Sequence, residues 1–321
     1  MKKLGKRIFT FLLITGFLSI TSVFGQQAPQ FTQYRNAQMF SNAGFAGMGP
    51  GICVNGIVRQ QWSGFKDIDG NMVAPQTFLV SIDSPIKILH GGAGLSIVQD
   101  KLGFEDNTIV QLAYSFHLEL SSGVLGIGAG LNLTNRNIDF SQFKPVVDGD
   151  PVLLSAKQGD MLIDANLGFF YRGDNDLYFG LGAKNLFESH GKNFSTSDRV
   201  IQYNTDRTLY LTAGYQFQMP GHPDFEIHPS LLIQSDFAST QYNLSAVVNY
   251  KNKFWGGVNY RFQESVGLIV GVRFRDFQVA YSYDVNTMFL GVPGSHEVSL
   301  NYCFKIKADK TKTSYKNTRF L

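Results

Sequence analysis

The sequence predicts an all-β fold: a transmembrane antiparallel β-barrel of about 14 strands, delivered by an N-terminal signal peptide. Three observations carry that prediction. The composition favours strands and turns over helices, with 33 Gly, 28 Phe and 14 Tyr and only 17% charged residues in 321. From about residue 51 onward, apolar and polar residues alternate in short runs separated by turn residues. Aromatic residues gather on the apolar face near the ends of those runs, where the two water–lipid borders of a barrel lie.

The first 25 residues stand apart. Lys2, Lys3, Lys6 and Arg7 form a basic start, and an uncharged, largely apolar run follows from Ile8 to Ile20. Val23 and Gly25 then supply small residues at the −3 and −1 positions of a cleavage site before Gln26. This is the three-part pattern of a secretory signal, and a 13-residue run is too short for a comfortable membrane-spanning anchor. The whole chain carries 28 basic and 25 acidic residues; without the signal the balance is 24 to 25. The apparent basicity therefore belongs to the targeting segment and gives no support for a nucleic-acid partner.

Residues 26–50 are polar, aromatic and Gly-containing, and are expected to form an N-terminal arm or plug. The barrel is expected over 51–305, with strands near 52–60, 76–83, 92–101, 107–118, 123–134, 160–171, 176–185, 207–217, 225–234, 241–250, 253–263, 265–274, 276–285 and 296–305. Period-two alternation defines them. In the fourth, Val110, Leu112, Tyr114, Phe116 and Leu118 oppose Gln111, Ser115, His117 and Glu119. A soluble sandwich would alternate in the same way. The position of the aromatics favours the barrel: Phe169 with Tyr171, Tyr215 with Phe217, and Tyr302 with Phe304 sit near strand ends. In hydrocarbon an open sheet edge has no water to bond, so such a sheet must close on itself.

Connection lengths agree. With the first strand running outward from the periplasm, long outward links fall near 61–75, 135–159, 186–206 and 286–295, and short inward ones near 121–122, 173–175, 251–252 and 274–276. Short outward links near 235–240 and 263–264 are exceptions. Residues 306–321 form a basic periplasmic tail.

Several segments, in order, carry a family resemblance. They are Gln30-Phe-Thr-Gln33-Tyr34, Asn42-Ala-Gly-Phe-Ala-Gly47, Arg59-Gln-Gln61-Trp62-Ser-Gly64, Pro75-Gln-Thr77, Ser81-Ile-Asp83-Ser-Pro85, Gly92-Ala-Gly-Leu95 and Gln99-Asp-Lys-Leu-Gly103. Over about residues 29–140 the chain resembles the PorP/SprF family of the type IX secretion system; one departure is the missing Pro in the 42–47 run. The resemblance implies a non-enzymatic outer-membrane component of this machinery, which also supports gliding motility. It implies partners of three kinds: outer-membrane lipid, secretion-system proteins including a periplasmic peptidoglycan-associated component, and secreted surface cargo such as adhesins. The alternative reading is a channel or transporter for small or hydrophobic solutes.

Cys53 and Cys303 fall in the first and last strands with the same inward parity, so a closing barrel brings them near each other. An exported chain meets oxidising conditions, and two readings stand: a disulfide across the seam, or two free thiols. Gly126, Gly128, Gly130, Gly180 and Gly182 repeat on the inner face, where they leave room for a plug or curve the strand. Inner-face charges of both signs, including Arg59, Asp164, Lys184, Arg261, Arg273 and Asp284, suggest internal ion pairs or a wet interior. The six His show no metal-ligand spacing; His117 with Glu119 is read as a hydrogen-bonded lumen pair ahead of a metal pair. No nucleophile elbow or phosphate loop is present, so neither a catalytic residue nor a cofactor is assigned. Phe143, Phe187 and Phe194 are candidate anchors for a partner on the outward loops.

Overall fold

The computed structural model describes residues 28–67, 70, 72–140, 157–191, 204–287 and 291–305. The signal segment 1–25, the tail 306–321, Phe143 and Phe194 lie outside the described residues.

Fifteen strand segments build the wall: β1 (Gly51–Gln60), β2 (Gln76–Ile86), β3 (Gly91–Leu102), β4 (Glu105–Leu120), β5 (Gly123–Asp139), β6 (Lys157–Gly173), β7 (Leu177–Lys184), β8 (Thr208–Tyr215), β9 (Phe217–Met219), β10 (His222–Ser235), β11 (Thr240–Tyr250), β12 (Phe254–Arg261), β13 (Ser265–Phe274), β14 (Phe277–Asn286) and β15 (Ser295–Lys305). Each pairs antiparallel with its neighbours, and β15 pairs with β1, from Gly51↔Lys305 to Gln60↔His296. That pairing closes the sheet. β8 and β9 both pair with β10 and are separated only by Gln216, so they occupy one position in a wall of 14 strands. No helix among the described residues is long and apolar enough to cross a membrane.

The alternation sorts the residues as amphipathic strands require. Leu112, Tyr114, Phe116 and Leu118 of β4 point outward and are exposed, while Gln111 and Ser115 point inward and are buried. Met161, Ile163, Leu167 and Phe169 of β6, and Phe277, Val279 and Tyr281 of β14, share the outer surface. A water-soluble protein would not leave so many large apolar side chains uncovered; a bilayer covers them.

Inward turns are short throughout, and Lys251 and Asn252 adopt φ of 49° and 56°, the left-handed backbone that tight hairpins use. The outward side holds the longer links, with one further short turn at Gly103 between β3 and β4. The outward loop expected over 135–159 is shorter than its sequence suggests. β5 and β6 each run 17 residues and stay paired out to Asp139↔Lys157. A strand needs about 9–11 residues to cross the bilayer. The extension stands clear of lipid and needs no apolar face, so Asn135 and Asn137 read as loop. Its base is held by Arg136, which donates to Glu105 at 2.6 Å.

Candidate functional site

The lumen is occupied by the chain's own N-terminal segment. Residues 28–50 turn through three short helical pieces, Tyr34–Ala37, Gln38–Ser41 and Ala43–Phe45. They are buried almost throughout, with Met39 at 1% exposure and Ala46 at 0%. Ala28 and Pro29 lie among outward strand ends, beside Asp100, Lys184 and Thr208. Gly47 lies near the inward end, where its N–H donates to Asp83 at 3.1 Å. The segment therefore descends through the barrel before entering β1.

Its outward half is held by a buried ionic latch. Arg59 on β1 meets Asp284 on β14 at 2.8 Å and Glu297 on β15 at 3.0 Å. Their side chains are 2%, 3% and 0% exposed. Glu297 receives two backbone N–H groups from the plug, Thr32 and Gln33, both at 2.8 Å. The Thr32 hydroxyl donates to Asp284 at 2.5 Å and accepts from Arg59 at 2.9 Å. Each carboxylate thus spends its lone pairs on an Arg and on the plug together, the condition under which buried charges are tolerated. Arg261, fully buried on β12, is the second cation acting on both carboxylates and donates to Asn243 and Glu264.

Polar pegs continue down the wall. The Tyr34 hydroxyl bonds Ser230 at 2.8 Å, and burial raises its phenol above the usual tyrosine range. Gln111, Ser115 and His117 on β4 bond the backbone carbonyls of Met39, Gly44 and Ala46. Asn42 folds its side chain to accept from the Gly44 N–H and donates to the Phe169 carbonyl. Lys184 places its ammonium 3.4 Å from the centre of the Phe40 ring.

The inner-face glycines are where plug backbone meets wall backbone. A Cβ on Gly128 would lie 2.3 Å from the Ala43 carbonyl, one on Gly126 2.2 Å from the Gly44 oxygen, and one on Gly182 2.1 Å from the Ser41 oxygen. A Cβ on Gly44 would lie 2.9 Å from backbone atoms of both β5 and β6. On this side of the barrel the outer face carries Ala93, Ala129 and Ala165 and forms an apolar hollow of about 1010 Å³. Phe187 lines that hollow with Leu131 and Leu167, so its ring belongs to the apolar outer wall.

The structure brings most of the motif residues into this assembly. Gln33, Tyr34, Asn42 and Gly47 lie on the plug; Arg59 and Asp83 are the wall groups that hold it. The rest of the Arg59 segment forms the outward rim. The Gln61 N–H donates to the Pro75 carbonyl, the Trp62 and Ser63 N–H groups reach Ser295 and Gly294, and Gly64 takes φ 91°. Trp62 packs edge-on against Phe65. Pro85 is the penultimate residue of β2, opposite Gly92, and takes no part in the plug bonds. Cys53 and Cys303 are paired in register and joined by a disulfide, 250 residues apart in sequence. No group of three or more potential metal ligands occurs among the described residues.

Glu297 escaped the sequence reading. Its parity with Ser299 and Asn301 is the signal that places it on the inner face. The inward cavities beside Arg35 and Trp255 left no local pattern at all.

The barrel is similar to several solved outer-membrane proteins. The Ralstonia pickettii toluene transporter TbuX aligns with a TM-score of 0.50 and 12% identity, over 84% of this chain and 94% of that one. The Pseudomonas putida toluene transporter TodX aligns at 0.46 and 11%, over 88% and 98%. Acinetobacter baumannii Omp33 aligns at 0.45 and 9%, over 79% and 98%. At such identities the likeness to TbuX shows the fold alone. No curated protein matches the chain. The model of the type IX secretion system membrane protein PorP/SprF matches residues 23–302, so this outer-membrane barrel belongs to the PorP/SprF family of that secretion system.

Proposed function

We propose that this protein is a non-enzymatic docking component of the secretion system, a sealed barrel that binds partners and assists the export or surface attachment of particular cargo. The observation that carries the reading is the plug. A lumen pegged from Thr32 to Gly47 by side chains of β1, β2, β4, β10, β14 and β15 is built as a support, with no part of that segment free to leave the wall without breaking buried bonds. The outward loop from Trp62 to Pro75 supplies a surface for a partner. Phe65 and Met72 are 40% and 60% exposed there, above a base fixed to Ser295.

Crosslinking and affinity purification from intact outer membranes tests this. Capture of secretion-system proteins is expected, with loss of a specific surface protein on gene deletion and unchanged small-solute permeability. Normal surface proteins together with reduced uptake of a small or hydrophobic solute would favour a transporter.

A further inference from the structure

The helical pieces of the plug pack against β1–β7, and below the latch space is left against β11–β14. There a cavity of about 320 Å³ opens at the inward end, between the plug residues Thr32–Asn36 and the wall. A neighbouring cavity, also about 320 Å³, shares Arg35, Gln216 and His228 with it. Both fall in the size range of small-ligand sites. Above the first cavity, Arg261, Asn243 and Asn259 are fully buried and bar the way outward, so its ligand must come from the periplasm.

The lining is polar and cationic. Arg35 from the plug and Arg273 from β13 both face it, with no carboxylate among the lining residues. Neither Arg forms an ion pair among the described residues. Arg35 donates to Nδ1 of His228 at 3.1 Å, the direction open to a guanidinium, which has no acceptor. Nε2 faces Asn249 at 3.0 Å and Glu226 at 3.7 Å, and Glu226 is also occupied by Gln216. Arg273 donates one Nη1 bond to Asn252, and its buried Nε has no partner. Trp255 adds a flat apolar face, lying against Gly271, where a Cβ would strike the indole at 2.1 Å. In the second cavity Arg172 is accompanied by Asp176, so the unmatched positive charge is concentrated on the first.

We propose that this inward cavity binds a small carboxylate ligand from the periplasm, its carboxylate held by Arg35 and Arg273 and its body lying on Trp255 among amide side chains. Two sources share that chemistry: the end of a peptide and a sugar acid. The inference rests on the plug's position and is independent of the docking role.

The test is calorimetric titration of the full mature barrel in detergent. The probes are tri-alanine as free acid, tri-alanine amide, glucuronate and glucose. Binding by an acid and roughly tenfold or greater weakening for its neutral counterpart are expected, the cost of losing hydrogen bonds to a charged group. Binding by tri-alanine acid alone assigns a peptide end, by glucuronate alone a sugar acid, and by both a site reading the carboxylate itself. Arg273→Gln should weaken acid binding by a similar factor, and Trp255→Ala should weaken it while leaving acid-over-neutral preference intact. Failure of both acids to bind would overturn the proposal. So would equal binding of acid and neutral probes, or an Arg273→Gln barrel that still folds and binds as tightly.

Discussion

Arg59 and Glu297 are 238 residues apart in sequence and meet at 3.0 Å inside the closed barrel, with Thr32 of the plug bonded to both. The contact joins the strand that opens the barrel, the strand that closes it and the segment that fills it. Removing the cation takes away the direct ion-pair partner of two buried carboxylates and leaves only Arg261 acting on them. Arg59→Met should therefore lower stability by about 3–5 kcal/mol. The urea midpoint in micelles reads this. Adding Asp284→Asn and Glu297→Gln should restore a large part of the loss; no recovery would mean that Arg59 acts through packing alone.

The disulfide Cys53–Cys303 ties β1 to β15 at the seam. Neighbouring hydrogen bonds already close the sheet, so Cys53→Ser with Cys303→Ser should still give a barrel, destabilised by about 2–5 kcal/mol. Alkylation followed by mass spectrometry, with and without reduction, should show both thiols blocked only after reduction. Labelling of unreduced native protein would refute the bridge.

Gly128 allows the Ala43 backbone to touch the wall. Gly128→Leu should unseat the plug, whereas Gly256→Ala, whose Cβ would find nothing closer than 3.8 Å, should be neutral. Arg35 offers a readout because it lies within the plug. Trypsin should cut at Arg35 rapidly in the Gly128→Leu protein and slowly in the native and Gly256→Ala proteins.

Phe65→Ser and Met72→Ser alter the outward loop without touching the latch. Each should leave the urea midpoint within about 0.5 kcal/mol of native. Together they should reduce the recovery of secretion partners from crosslinked membranes. Undiminished recovery would move the docking surface elsewhere.

The wall was legible because its rule is local. Period two and the turn residues around Ser121–Ser122 and Lys251–Asn252 placed the strands, and the parity of Cys53 and Cys303 placed the seam. Outside the lipid that rule relaxes, which hid the outer ends of β5 and β6. Segment 26–50 was readable as an arm or plug, and the inner-face glycines hinted at room for it. Its bonds were not readable, because Glu297 receives Thr32 and Gln33 across 265 and 264 residues. Such contacts depend on barrel closure and register, which no window of sequence displays. The motif segments mark both sides of the latch, at Gln33 and Arg59, without showing that both bond Glu297.

The most direct test of the central claim, that the latched N-terminal segment fills the lumen, is single-channel recording in planar bilayers. The native protein should show no steady ion conductance, and a variant lacking residues 28–46 should conduct. A native barrel that passes current steadily, unchanged by that deletion, would contradict the account.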